Sequence, residues 1–356
     1  MNTIFKNLIL NGALTDIVCT DKKISYIGKT DADGIDFHGL KVYPGLIDIH
    51  THGANGTDTM DCDLKSLSVF QAKHGITAFY PTTMTVSTEA LNKVLTASTD
   101  NMPGAQIPGF HLEGPYINEK YMGAQNSKYI RNPDLAEFAG YDNVKMLTLA
   151  PELEGSEEYI KNSKAIVSVG HTDADYDTVV NAAKAGAKCV THICNAMPSL
   201  HHRNPSVIGA AFDKGLYAQV ICDGIHIHPS MIRVLYKLFS ADKMILISDS
   251  MRATGLPDGD YDLGGLNITV KDKIARTQSG ALAGSTSTLF DCVLCAIKFG
   301  ISEEDAFKMA SETPAKLMGL NKGKIQIGYD CDLLILNEHN EIDTVIINGS
   351  IFKEDR

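Results

Sequence analysis

The feature that most limits how this 356-residue chain can fold is a repeated alternation of short apolar runs with helical stretches. Eight runs are predicted as strands: Val42 to Ile49, Thr77 to Thr83, Ile107 to Glu113, Val144 to Ala150, Ala165 to His171, Cys189 to Ile193, Tyr217 to Cys222 and Met244 to Asp249. Helix-start residues punctuate the intervals, such as Asp63 before Leu64 to His74 and Asp175 before Tyr176 to Ala185, where a short acceptor caps free N–H groups. Strands separated by helices predict a parallel sheet, and eight of them predict a (β/α)8 TIM barrel.

The two ends have a different rhythm. Ile4 to Leu10, Asp16 to Thr20 and Ile24 to Gly28 read as short strands between Asn-Gly and Asp-Lys turns. The same style returns at 323–328, 332–336 and 344–349. The expected fold is therefore α/β: a barrel over 44–321 and a small β-sandwich domain made by 1–43 with 322–356. A Gly-rich, hairpin-like excursion over 258–275 and three helical stretches up to Leu320 close the barrel portion.

Composition removes several classes of function. With 44% hydrophobic and 21% charged residues, the chain can bury a large core, so disorder is excluded. The formal charge of -11 argues against nucleic acid, which needs a basic surface, and favours a small substrate. No run of about 18 apolar residues occurs and the first residues lack a signal-peptide pattern, so no membrane partner is expected and the location expected is the cytoplasm. The eight cysteines are expected to be reduced, with Cys292 and Cys295 read as buried helix residues because no second pair stands at zinc-ribbon spacing.

The first barrel strand runs into Pro44-Gly-Leu-Ile-Asp-Ile-His50-Thr-His52-Gly, where two histidines two residues apart leave the strand on one side. Taken alone, such a pair is structural as readily as it is a metal grip. Its position changes that reading, because Glu113, His171, His192, His226 and Asp249 recur at or just past the carboxyl ends of other predicted strands. In a barrel all those ends converge on one face. Buried imidazoles and carboxylates are costly unless paired or metal-bound, so one or two divalent cations would explain their accumulation.

With these motifs, and with His-Leu-Glu-Gly-Pro-Tyr at 111–116, Gly-Ala-Gln at 123–125, Leu-Ala-Pro-Glu at 149–152, Thr-His-Ile-Cys-Asn-Ala-Met at 191–197, Asp-Gly-Ile-His at 223–226 and Leu-Ala-Gly-Ser at 282–285, the chain resembles the amidohydrolase superfamily. Within it, the resemblance is to the N-acetylglucosamine-6-phosphate deacetylases. It implies metal-dependent hydrolysis of the acetamide of a phosphorylated amino sugar, with the galactosamine isomer as the alternative substrate and a catalytically silent scaffold as a more distant one. It further implies that Glu113, His171 and His192 hold one ion, and that His50, His52, Glu113 and Asp249 hold a second, zinc or iron being the expected metals. Asp249 matches the catalytic carboxylate, and Ala124, Gln125, Asn195, Ala196, Arg203, His226, Leu282, Ala283 and Gly284 match substrate contacts. At Gln125 some members carry histidine. The resemblance also implies a homodimer in which Arg203 reaches the phosphate of a neighbouring subunit; by itself, a loop arginine reads as solvated surface.

Overall fold

The computed structural model describes residues 2–354. The barrel is present, with parallel strands β1 (Leu46–Thr51), β2 (Ile76–Thr83), β3 (Phe110–Glu113), β4 (Val144–Leu149), β5 (Ile166–Val169), β6 (Cys189–Val190), β7 (Tyr217–Ile221) and β8 (Met244–Ile247) paired in chain order. The seam between β8 and β1 is closed by the Asp249 N–H donating to the His50 carbonyl at 2.9 Å and by a parallel bridge between Thr51 and Ser250. Strands sheathed by helices should be buried throughout, and every residue of β1 and β2 is. Leu112, Leu147 and Val169 of the strands share one apolar cluster with Leu67, Leu91, Val179 and Leu235 of the helices. Full burial of each such side chain contributes about 1.5–3 kcal/mol. Asp63 and Asp175 cap their helices as the sequence suggests, accepting from the Ser66 and Thr178 N–H groups at 3.2 and 2.9 Å.

Three strands stop two or three residues short of their predicted ends, at Val169, Val190 and Ile247. The cause is local. His171, His192 and Asp249 have φ of 48°, 26° and 47°, left-handed values that side chains resist, so the backbone leaves the ladder where each functional side chain is turned inward. Such conformations cost on the order of 1–3 kcal/mol each and persist where the surroundings over-determine them.

The predicted first barrel strand is two strands. Lys41–Pro44 pairs with Leu333–Leu336 near the C-terminus, and the partner changes at Gly45. The Gly45 N–H donates to the Asp332 carbonyl at 2.9 Å, whereas the next N–H, of Leu46, donates to Gly75 at 3.0 Å. Glycine is required there because a Cβ would collide with the Thr77 side chain.

The ends expected to form a sandwich contribute to one eight-stranded sheet. It joins Asn2–Leu10, Ala13–Thr20, Lys23–Gly28, Ile35–Asp36 and Lys41–Pro44 to Leu333–Leu336, Ile342–Ile347 and Ser350–Ile351, around an apolar cluster of its own that includes Phe5, Leu8, Ile17, Leu333 and Ile346. The run 323–328 is not a strand but a series of turns. Gly323 and Gly328 take φ of 78° and 91°, and a Cβ at Gly323 would collide with the Ser311 carbonyl. The excursion after β8 is a three-stranded antiparallel sheet, Gly259–Leu263, Leu266–Lys271 and Ile274–Thr277. Cys292 and Cys295 lie in helix Leu289–Lys298, Cys292 buried but Cys295, three residues on, only half-buried, and all eight cysteines are free thiols. Among the described residues no helix is long and apolar enough to cross a membrane.

Candidate metal centre and active site

Glu113, at the end of β3, is the hub on which the strand-end residues converge. Its Oε1 lies 3.3, 3.2 and 3.0 Å from Nε2 of His50, His171 and His192, and its Oε2 lies 3.2 Å from Nε2 of His52. Asp249 Oδ1 is 3.4 and 3.3 Å from the same nitrogens of His50 and His52. Among the imidazoles themselves, His50 and His52 approach to 3.3 Å and His171 and His192 to 3.1 Å, in each case Nε2 to Nε2.

Where the imidazole protons sit decides what this cluster needs. Nδ1 of His50 faces Gln219 Oε1 at 3.0 Å, that of His52 the Thr82 carbonyl at 3.2 Å, and that of His171 the Tyr121 carbonyl at 2.8 Å. A carbonyl oxygen only accepts, so each Nδ1 carries the proton and, in the neutral ring, Nε2 presents a lone pair. In the neutral rings those lone pairs point at one another and at a carboxylate. Protonation is one relief: although burial lowers His50 and His52, Glu113 and Asp249 outweigh it and raise both. A divalent cation is the other, and it resolves the arrangement. The spacing fits as well. A tetrahedral ion with ligands at about 2.0–2.1 Å sets them about 3.3–3.4 Å apart. His50, His52 and Glu113 would give one such site three donors, with Asp249 Oδ1 beside both histidines; Glu113, His171 and His192 supply three to another and leave a position for water or substrate.

Burial pushes the Glu113 carboxyl up, but the surrounding His50, His171 and His192 outweigh it and hold it well below the usual carboxylate range. Asp249 follows the same pattern: burial raises it, His50 and His52 prevail, and it is held at about 2, so it is ionised near neutrality. His111, on the same strand as Glu113, is kept neutral by burial and by neighbouring His50. It is no ligand: its ring bonds the Ile49 carbonyl at 3.0 Å and Thr148 Oγ1 at 2.8 Å, and Thr148 continues to Thr191 at 2.7 Å in a polar layer adjoining the cluster.

A cavity of about 350 Å³ opens on the cluster, in the size range of small-molecule sites. Its walls include His52, Glu113, His171, His192 and Asp249, together with Ala124, Gln125, Asn195, Ala196, His226, Leu282 and Gly284 from the sequence-derived set. His50 is wholly buried behind them. Two residues of that set do not line this chain's own cavity. Ala283 is fully buried in an apolar cluster with Met84 and Met251, because its neighbours Leu282 and Gly284 take the cavity side of the segment. Arg203 is not on the wall; it lies in an exposed loop with its guanidinium on His202 at 2.7 Å. Burial would lower His226, but Asp223 at 2.7 Å outweighs it and holds the imidazole above its ordinary value.

Sequence reasoning missed Lys120, Tyr121, Met84, Ile221, Leu263 and Ala281, all on the cavity wall, and Gln219, which sets the His50 proton. Lys120 pairs with Asp173 at 2.7 Å. Gln219 did leave a signal, an amide inside the apolar run Tyr217–Ile221 that only an interior polar partner would justify.

A (β/α)8 barrel with imidazoles and carboxylates gathered at its strand ends defines a metal-dependent hydrolase. The chain belongs to the amidohydrolase family, which matches residues 42–352. It is 38% identical over 330 residues to the N-acetylglucosamine-6-phosphate deacetylase of Bacillus subtilis (strain 168), covering 86% of this chain and 83% of that one. Among solved structures, the N-acetylglucosamine-6-phosphate deacetylase of Thermotoga maritima superposes with a TM-score of 0.90 at 33% identity over the whole of both chains. A mutant of the Mycobacterium smegmatis enzyme in complex with N-acetyl-D-glucosamine-6-phosphate also gives 0.90, at 28% identity over 99% of both chains.

Proposed function

We propose that this chain hydrolyses the acetamide of N-acetyl-D-glucosamine 6-phosphate, releasing acetate and D-glucosamine 6-phosphate, a step of amino sugar catabolism. The observation that carries this reading is the three-donor set Glu113, His171 and His192 beside an ionised Asp249 at the floor of a small-molecule cavity. The galactosamine isomer is not favoured, since the relatives named above and the sugar bound in the Mycobacterium smegmatis structure are of the glucosamine kind.

Glu113, His171 and His192 would hold the catalytic ion, and His50 and His52 would share Glu113 and Asp249 with a second; zinc and iron both suit this donor set. When bound, such an ion polarises an amide carbonyl and makes hydroxide available near neutral pH. Asp249 takes the proton from the attacking water as the new C–O bond forms, then delivers it to the amide nitrogen as the C–N bond breaks. One carboxylate thus serves both half-steps. Asn195, Ala196, His226 and the 282–284 segment would grip the sugar phosphate, with Asp223 favouring the cationic form of His226 toward the phosphate.

Several further assignments belong to the same proposal. The end sheet, with its separate core, is a small domain of residues 1–43 and 322–356 carried on the barrel of 44–321. Of the eight exposed large hydrophobic side chains among the described residues, four, Leu200, Phe212, Ile225 and Val234, fall in the stretch that also holds Arg203. A homodimer across that stretch would cover them and bring Arg203 to a partner's phosphate. Free thiols throughout accord with a reducing cytoplasm. The deciding assay is acetate release from N-acetylglucosamine 6-phosphate by metal-reconstituted protein, with the galactosamine isomer in parallel; release from neither sugar rejects the reading.

A further inference from the structure

Gln125 lies on the cavity wall, yet its amide is engaged by the protein itself. The side chain is only 4% exposed. Its Oε1 accepts from the Thr85 backbone N–H at 2.7 Å, and its Nε2 lies 2.5 Å from Glu113 Oε2. The first contact fixes the amide's orientation: a backbone N–H can only donate, so the oxygen must face Thr85 and the NH2 must face the carboxylate. Glu113 thereby has two unlike oxygens. Oε1 faces His50, His171 and His192, whereas Oε2 faces His52 and Gln125.

We infer that Gln125 is a positioning residue for Glu113, holding the shared carboxylate at a rotation that assigns Oε1 to the three-donor site and Oε2 to the His52 side. This rests on the proposed metal centre. A carboxylate on a glutamate chain rotates freely about its last bond unless something grips one oxygen, and a hydrogen bond to Oε2 leaves its other lone pair for an ion. The same loop supplies the Tyr121 carbonyl that fixes the proton of His171. One wall of the substrate cavity is thus also the outer support of the metal ligands. That separates Gln125 from the sugar-contact role its sequence position implies.

The test is zinc binding by chelator-stripped protein in buffers of fixed free zinc, with KM and kcat for the phosphosugar measured after refilling. Gln125→Leu removes both contacts. Gln125→Glu keeps the size and the Thr85 contact but turns the donor facing Glu113 into an acceptor, and thermal melts of both variants verify folding. The expected result is zinc binding weakened about 10–100-fold in both variants, as for other outer-shell partners, with kcat lowered and KM unchanged. Zinc affinity equal to that of the unmodified chain, with a raised KM, makes Gln125 a sugar contact and overturns the inference. An unmodified chain that binds no zinc overturns the metal centre itself, an outcome distinct from either.

Discussion

Two buried charged clusters in this molecule are resolved in opposite ways. In the end sheet, Lys322 is buried and reaches Asp332 at 2.7 Å and Asp330 at 2.9 Å, so the protein supplies its own counter-charge. Asp332 also accepts from the Asn348 N–H at 2.7 Å. At the barrel mouth, four imidazoles and two carboxylates meet, the neutral rings of His50, His52 and His171 turning Nε2 lone pairs inward. Among the described residues no lysine or arginine is paired with Glu113 or Asp249. A self-satisfied cluster is a structural device. One that leaves lone pairs facing each other is built for something the chain does not contain. Breaking each cluster should therefore give different symptoms.

The largest effect is expected from Asp249→Asn, which keeps the shape and removes the proton carrier. Turnover should fall at least about a hundredfold, within the range of general acid–base catalysis, while the phosphosugar still binds. Steady-state kinetics with a binding titration checks this, and near-normal turnover removes Asp249 from the chemistry. Lys322→Met should do the reverse. Leaving Asp332 buried without its cation costs about 3–5 kcal/mol of stability, readable by urea unfolding, and the metal content of the folded fraction should be unchanged.

A smaller loss is expected from Arg203→Ala, about ten- to a hundredfold in kcat/KM for the phosphosugar, from a charged hydrogen bond worth about 1.5–3 kcal/mol. Unphosphorylated N-acetylglucosamine should be barely affected. Equal loss for both substrates would mean that Arg203 supports the fold instead. Hybrid dimers of this variant with Asp249→Asn protein should regain activity if Arg203 serves the partner's site. The smallest effect concerns pH. Asp223 raises the folded-state value of His226, so phosphate affinity should be full below it and fall as pH rises through it; Asp223→Asn lowers that value, and the rise of KM with pH should begin at lower pH.

What was legible in the sequence was whatever is written within a few residues. His50, His52, Glu113, His171, His192 and Asp249 could be found because each lies within two residues of a strand's carboxyl end, and a barrel gathers strand ends without further instruction. What was hidden depends on register across the sheet. Gln219 meets His50 across 169 residues, and the direction of Ala283 is set by which side of an extended segment faces the cavity. The strand ends were overestimated at His171, His192 and Asp249 because apolar pattern carries no sign of a left-handed residue. Gly45 divides two sheets inside what reads as a single run, since the change of hydrogen-bond partner leaves no trace in hydropathy. Arg203 had no local signal at all and entered only through resemblance.

The central claim, that the barrel-mouth cluster is a metal centre which makes acetamide hydrolysis possible, is tested most directly by stripping the protein with chelator and returning zinc in steps. Bound metal and acetate release from N-acetylglucosamine 6-phosphate would be followed in the same samples. Activity should vanish on stripping and return as the first ion per chain binds, and His171→Ala should show neither binding at that step nor recovery. Undiminished acetate release from protein shown to be free of metal, or full zinc binding by His171→Ala, would contradict it.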